Sequence, residues 1–268
     1  MRWSNAVRTW LRIFFVGGLT SYRALFNWIT PAILIPTFLV DPIAQILLFA
    51  FIGRTAGIGS DEFFVIGNSL QYAAIPCLFA MGNTIADERR QHTLGLILAT
   101  PASRLPLFLG RAMPVIANGF LVALFSLAVG GAIFGIDVPA AAIGPIILVS
   151  AVSAFSCTGL GLVGAALSLR VRETAVLSNI LFGVLLLFCG VNVPVDDLPG
   201  WMAATGQWLP LSHGIAAARD LADGASLSSV WSLIGGEVGV GAIYVAIGLG
   251  MLRLFEAESR RRATLDIA

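Results

Sequence analysis

ADERRQHTLGLILATPASRLPLFLGR, residues 86–111, is a charged stretch set between two long apolar runs; it opens on Asp87, Glu88, Arg89 and Arg90 and closes on Arg104 and Arg111. Across its middle, residues 93–99, beginning at Thr93, Leu94, Ile97 and Leu98 recur at i, i+3, i+4 spacing. Thr100-Pro101 then stops the helix, because the residue before a proline avoids the α region. The pattern describes a short amphipathic helix held at a membrane surface.

Composition extends that reading to the whole chain. Of 268 residues, 57% are hydrophobic and only 12% charged, with a mean hydropathy of +0.90, against roughly 25% charged residues in soluble domains. No polar stretch is long enough to build a soluble domain with its own core. The sequence therefore predicts an all-α integral membrane protein with one domain, residues 1–268.

Runs of about 20 apolar residues mark membrane spans. Six occur, at roughly residues 28–53, 63–86, 105–134, 140–169, 175–193 and 230–254. The third and fourth exceed the length a span needs, which implies tilt or a shorter true core. Pro31, Pro36, Pro42, Pro76, Pro114 and Pro145 fall in or near these runs, as membrane helices allow when neighbours satisfy the freed carbonyls.

All sixteen basic residues are arginine, so orientation follows from counting. Arg2, Arg8, Arg12 and Arg23 precede the first span, and Arg89, Arg90, Arg104 and Arg111 join the second to the third. Arg170 and Arg172 join the fourth to the fifth; Arg253, Arg260, Arg261 and Arg262 follow the sixth. Only Arg54 and Arg219 lie opposite. The positive-inside rule places both termini, residues 255–268 as a tail, and the 86–111 loop in the cytoplasm.

Residues 1–27 lack the compact apolar core and small-residue cleavage site of a signal peptide. Trp3, Val7, Trp10, Leu11 and Phe14 can share one face while the arginines meet anionic headgroups, the pattern of an interfacial helix. On the outer side, residues 191–224 carry Asp196, Asp197, Asp220 and Asp223, yet are too apolar for an ordinary loop. Trp201, Met202, Trp208, Leu209 and Leu211, punctuated by Pro194, Pro199-Gly200 and Pro210, predict two short helices at or dipping into the outer interface.

Two acids lie in apolar surroundings. Asp41 and Glu237 each cost about 2.5–3.5 kcal/mol at a bilayer centre unless paired or wet, so both are candidates for a translocation path. For Glu237 a polar packing contact near the outer surface is the favoured reading. Asp41 stands between a polar point in a path and a helix kink reached by water. His92 and His213 fall on opposite faces and share no site; His213 is read as capping or hydrogen-bonding the outer helices. Cys77, Cys157 and Cys189 show no metal-type spacing, so neither a metal site nor a disulfide framework is expected. Gly131 and Gly135, Gly235 and Gly239, and Gly159, Gly161 and Gly164 allow close helix approach.

The pattern E-R-R-x-x-T-L-x-x-I-L-A-T-P, residues 88–101, resembles the loop between the second and third spans of ABC-2 type exporter permeases, including daunorubicin-resistance and nodulation lipo-oligosaccharide exporters. A second match, G-V-N-V-P-V-D-D-L-P-x-W followed by P-L-S-H-x-I-x-x-x-R ending at Arg219, resembles the re-entrant outer region of the same exporters. The chain departs from the pattern at Gly95, where many members carry an acid after T-L. The resemblance implies six transmembrane helices with an N-terminal interfacial helix, a cytoplasmic coupling helix and outer re-entrant short helices. It further implies that Glu88, Arg89, Thr93, Leu94, Ile97, Leu98, Thr100 and Pro101 meet an ATPase.

With no lysine, this chain contains no G-x-x-x-x-G-K-[ST] phosphate loop. ATP and Mg are accordingly expected in a partner ABC ATPase, two copies per complex, and no cofactor in this chain. A second permease copy or a sister permease completes the expected assembly, in the bacterial cell membrane among lipids and without nucleic acid. The expected function is export of a hydrophobic or amphipathic drug or natural product, with a lipo-oligosaccharide or polysaccharide precursor as the alternative. A lipid-modifying enzyme is disfavoured because no cluster of His, Asp, Glu or Ser supplies a catalytic set. A secondary transporter would show inverted repeats, and none is detected.

Overall fold

The computed structural model describes residues 11–17, 20, 35–90, 105–171 and 173–262. Among them the fold is all helical, with no strand. A π-helical stretch, Ile35–Val40, leads into α1 (Asp41–Ala56). Pro42 sits in the first turn of α1, where its missing N–H has no intrahelical partner to lose. Gly57, at φ 68°, closes α1 by returning its N–H to the Gly53 carbonyl. Ser60 then caps α2 (Asp61–Tyr72) by accepting the Phe63 N–H at 3.2 Å. Arg54 and Asp61 tie the two helix ends by a two-pronged ion pair.

The second expected span is α2 followed by α3 (Ala74–Arg90), with a one-residue break at Ala73. Its cause lies three residues on. Pro76 has no N–H to give the Tyr72 carbonyl, and its ring crowds that oxygen. The chain tightens there, and Ala73 donates to Leu70 at 3.1 Å.

α4 (Leu105–Phe134) and α5 (Ala140–Leu167) form a hairpin through Gly135, at φ 64°, and Pro139. α6 (Thr174–Phe188) is followed by a 3₁₀ turn (Val195–Asp197), α7 (Gly200–Gly206), α8 (Ser212–Ala222) and α9 (Trp231–Arg262). The last helix runs past the expected end of the sixth span into residues placed in a tail.

Among the described residues, four helical segments are long and apolar enough to cross a membrane: Asp61–Asn83, Pro106–Phe134, Ala140–Leu167 and Trp231–Phe255. α6 departs from expectation, ending at Phe188 rather than near residue 193. Its 15 residues rise about 22 Å, short of a hydrocarbon core of about 30 Å. The apolar sequence continues, but Gly190 adopts φ 70° and turns the backbone out of the helix.

α5 and the α2–α3 span form the interior: 67% and 78% of their spanning windows are buried, against 28% for α4 and 22% for α9. The outer two leave Met113, Leu121, Ile133, Val238, Ile243 and Ile247 exposed, an apolar surface suited to lipid. The α5–α9 seam is tight because it is built on glycine. A Cβ on Gly159 would lie 2.8 Å from the Gly241 carbonyl oxygen, and one on Gly248 3.0 Å from the Leu162 carbonyl carbon. Gly161 faces α3 instead, where a Cβ would meet the Cys77 carbonyl oxygen at 2.2 Å. Gly131, Gly135, Gly235 and Gly239 have nothing within 4 Å of such an atom, so these two pairs pack no helix within the described chain.

Candidate functional site

Two buried polar groups organise the end of the bundle where α7 and α8 lie. The first is Glu237, on the second turn of α9 and fully buried. Its Oε1 accepts the Leu211 N–H at 2.8 Å and its Oε2 the Gly214 N–H at 3.1 Å. Those amides belong to the N-cap and third residue of α8, whose own cap residue, Leu211, has no side-chain acceptor. Glu237 therefore caps α8 from another helix, placing its carboxyl oxygens at the positive end of the helix dipole. Gly214 admits the approach to α5: a Cβ there would fall 2.1 Å from Ser153 Oγ.

The second is Arg219, in the last turn of α8. Nη1 donates to the Gly190 carbonyl at 2.8 Å, and Nη2 to the Phe63 and Val191 carbonyls, each at 3.0 Å. The guanidinium carbon also stands 3.5 Å from the Phe63 ring centroid. One side chain thus ties α8 to the loop after α6 and to the start of α2. Burial lowers the Arg219 pKa to about 10, leaving it a cation at neutral pH. Gly67 makes the clamp possible, since a Cβ there would lie 2.4 Å from the Val191 carbonyl oxygen and 2.7 Å from Nη2.

The rest of the P-L-S-H run joins α7 to α8. Ser212 Oγ donates to the Gly206 carbonyl at 2.5 Å, and His213 Nε2 lies 3.0 Å from the Gln207 carbonyl. The Pro210 carbonyl accepts from the Cys189 thiol at 3.2 Å. Pro199 precedes α7, Pro194 precedes the 3₁₀ turn, and Trp201 packs edge-on to Phe188 with centroids 5.8 Å apart. Trp201 and Trp208 otherwise stand exposed, as interfacial aromatics do.

Sequence reasoning missed a third group. On the α1–α2 seam, Gln45 Nε2 donates to Asn68 Oδ1 at 2.9 Å and to Gln71 Oε1 at 3.1 Å. Asn68 Nδ2 donates to the Phe64 carbonyl and to Asn192 Oδ1, both at 2.8 Å. Asn68 and Gln71 are fully buried, whereas Gln45 and Asn192 are half-buried. The available signal was uncharged polar residues inside apolar runs, which membrane interiors rarely hold without a purpose.

Asp41 is exposed, at the junction of the π-helical stretch with α1. Among the described residues it has no hydrogen bond or ion pair with Glu237. Glu88 and Arg89 fall in the last turn of α3. Thr93, Leu94, Ile97, Leu98, Thr100 and Pro101 lie outside the described residues. At the same end as α3's terminus, Arg170 pairs with Glu258 of α9 and covers the Phe255 ring at 4.5 Å.

An apolar pocket of about 620 Å³ opens between α4 and α5 near their connecting turn, lined by Leu127, Gly131, Gly135, Val138, Ile146 and neighbours, with Asp137 at its edge. Gly131 and Gly135, two of the glycines that pack no helix, border this space. Among the described residues, no group of three or more His, Cys, Asp or Glu could hold a metal ion, and the three cysteines are free and buried.

Among the described residues, long apolar helices with Glu237 and Arg219 holding short helices at one end mark an integral membrane protein. The chain belongs to the ABC-2 type transporter family, whose sequence profile matches residues 5–222. Over 174 residues it is 25% identical to "Probable multidrug ABC transporter permease YbhR" of Escherichia coli strain K12, covering 60% of this chain and 47% of that protein. The protein of the same name from Escherichia coli O157:H7 matches to the same extent. The chain thus spans about half the length of these curated relatives.

Proposed function

We propose that this chain is the membrane subunit of an ATP-driven exporter that carries a hydrophobic or amphipathic compound, such as a drug or natural product, out of the cytoplasm or inner leaflet. Membership of the ABC-2 family and likeness to a protein named as a multidrug permease support the transport reading. The observation that carries the direction is the difference between the two ends. One is closed by α7, α8 and the loop after α6, drawn onto α2, α5 and α9 by Arg219 and Glu237. The other bears Arg90 at the end of α3, Arg111 in α4, Arg170 after α5 and Arg253 in α9.

With the arginine-rich end in the cytoplasm, the closed end faces outward and forms the exit. Six spans follow, with α1 completing a first that begins near residue 28 and α6 a short fifth. The N-terminal segment lies in the inner interface, with Gly17 beside Leu107 of α4. The 86–111 loop meets the ATPase through Glu88, Arg89, Thr93, Leu94, Ile97, Leu98, Thr100 and Pro101, and ATP and Mg bind in that partner. Two permeases and two ATPases form the complex, in the bacterial inner membrane with both termini cytoplasmic. Closure of the ATPases rocks the permeases and releases the outer lock.

The test is co-expression with the ABC ATPase that copurifies with it, in an efflux-deficient host, against a panel of hydrophobic compounds. Reduced accumulation of at least one, lost when the ATPase phosphate-loop lysine is replaced, is the expected result. No change across the panel, with loss of a surface glycan or glycolipid on deletion, would replace this reading with export of a lipo-oligosaccharide or polysaccharide precursor.

A further inference from the structure

The amide group on the α1–α2 seam leaves two buried NH₂ groups open. Every side-chain oxygen that links its members is engaged: Asn68 Oδ1 and Gln71 Oε1 accept from Gln45, and Asn192 Oδ1 accepts from Asn68. Two NH₂ groups are left. Gln71 Nε2 and Asn192 Nδ2 are both buried and have no hydrogen-bond partner among the described residues. Gln71 as a whole is 0% exposed.

A cluster serving only to pack helices has no use for this arrangement. Unpaired buried donors cost about 1–3 kcal/mol each, and an apolar residue of similar size would avoid the cost. The pattern selects its ligand chemically. The one cluster oxygen left over, Gln45 Oε1, is a single neutral ligand on a half-buried residue, too little to hold a cation, and an anion finds no full positive charge in the cluster. Arg219 carries one, but three carbonyls already occupy its Nη atoms. Neutral N–H donors in apolar surroundings suit a neutral oxygen acceptor.

The seam comes nearest the surface on one side. Gln45 and Asn192 are the half-buried members, and beside them Leu48 and Val193 are exposed, giving the amides an apolar border. We infer that Gln45, Asn68, Gln71 and Asn192 form a donor site for an uncharged oxygen acceptor, a carbonyl, ether or hydroxyl oxygen carried by an otherwise apolar transported molecule. The inference rests on the transport reading for the identity of the occupant, but the site itself can be tested without transport.

The full-length chain in nanodiscs of zwitterionic lipid is titrated with Nile red, an uncharged dye bearing a ketone, and with ethidium, a cation without such an oxygen; binding to empty nanodiscs is subtracted. Saturable Nile red binding is expected, weakened about 3- to 10-fold by Gln71→Leu and by Asn192→Ala, the loss of one hydrogen bond. Ethidium binding stays the same in both variants. Asn192→Ala, in a loop, guards against misfolding of the helical variant. Absence of saturable Nile red binding, equal affinity in the variants, or parallel weakening of both dyes overturns the site. ATP-driven Nile red efflux by the permease–ATPase complex is read separately: its absence with selective binding intact counts against the transport reading and supports the site.

Discussion

The capped end and the α1–α2 seam both bury polar side chains in an apolar bundle, yet they treat them differently. Glu237 and Arg219 are ionisable, and each meets two or three backbone groups contributed by other segments, although Arg219 Nε is left without a partner. The amides of the seam are neutral and mostly meet one another, leaving two NH₂ groups open. The ionisable groups here are architectural, because such a group buried without partners is too costly to keep in reserve. Neutral donors are affordable to leave open, and that is where recognition can reside.

The sharpest way to break this contrast is at Glu237. Glu237→Leu strips the cap from α8 and orphans two buried amides, so a loss of about 2–5 kcal/mol is expected, seen as a fall in the Tm of the detergent-purified chain. Glu237→Gln keeps an acceptor oxygen and loses less. An unchanged Tm for Glu237→Leu would show that α8 is held by packing alone.

Arg219→Lys comes next. Lysine keeps the charge but not the fork that reaches three carbonyls, so a loss of about 1–3 kcal/mol is expected, together with faster proteolytic cleavage between residues 189 and 200. Wild-type protease resistance would mean that the loop is not held by the guanidinium.

Gly161→Ala tests the interior by the same measurement. Its new Cβ would collide with the Cys77 backbone oxygen, which cannot rotate aside, so a loss of about 1–3 kcal/mol is expected. Gly131→Ala, in open space, should hold Tm or raise it by about 0.5–1 kcal/mol in equivalent stability. Equal effects at the two positions would remove the distinction between packed and open glycines.

The smallest expected effect is at the seam. Gln71→Leu removes an open donor, and Gln45 still holds Asn68, so stability should move by less than about 1 kcal/mol. A loss matching that of Glu237→Leu would make the seam a structural clasp.

Much of the helix plan was legible because it rests on local signals. α4 has the expected bounds, Leu105–Phe134, since the apolar run is followed by a glycine turn and a proline. The end of α6 was not legible: Cys189 to Val193 is apolar, and hydropathy does not register a glycine adopting positive φ. The break at Ala73 was signalled by Pro76, but its position depends on which carbonyl the ring meets. For the site, Arg219 and His213 stood out in a recognisable run, while their partners did not. Glu237 and its two amides are separated by 26 and 23 residues, and capping between helices leaves no periodic trace in the chain. The seam went unseen because Gln45, Asn68 and Gln71 are single polar letters in apolar runs, brought together only by the α1–α2 hairpin.

α9 holds Glu237 near one end and Glu258 near the other, the first buttoned to α8 and the second to Arg170. No proline interrupts its 32 residues, and about 32 Å of unbroken helix separate the two carboxylates at 1.5 Å per residue. Such a helix is stiff along its axis, so it works as a pushrod. A displacement of Arg170 by an ångström or two along the rod would arrive almost undiminished at the amides of Leu211 and Gly214, within the range of motion that parts a hydrogen bond.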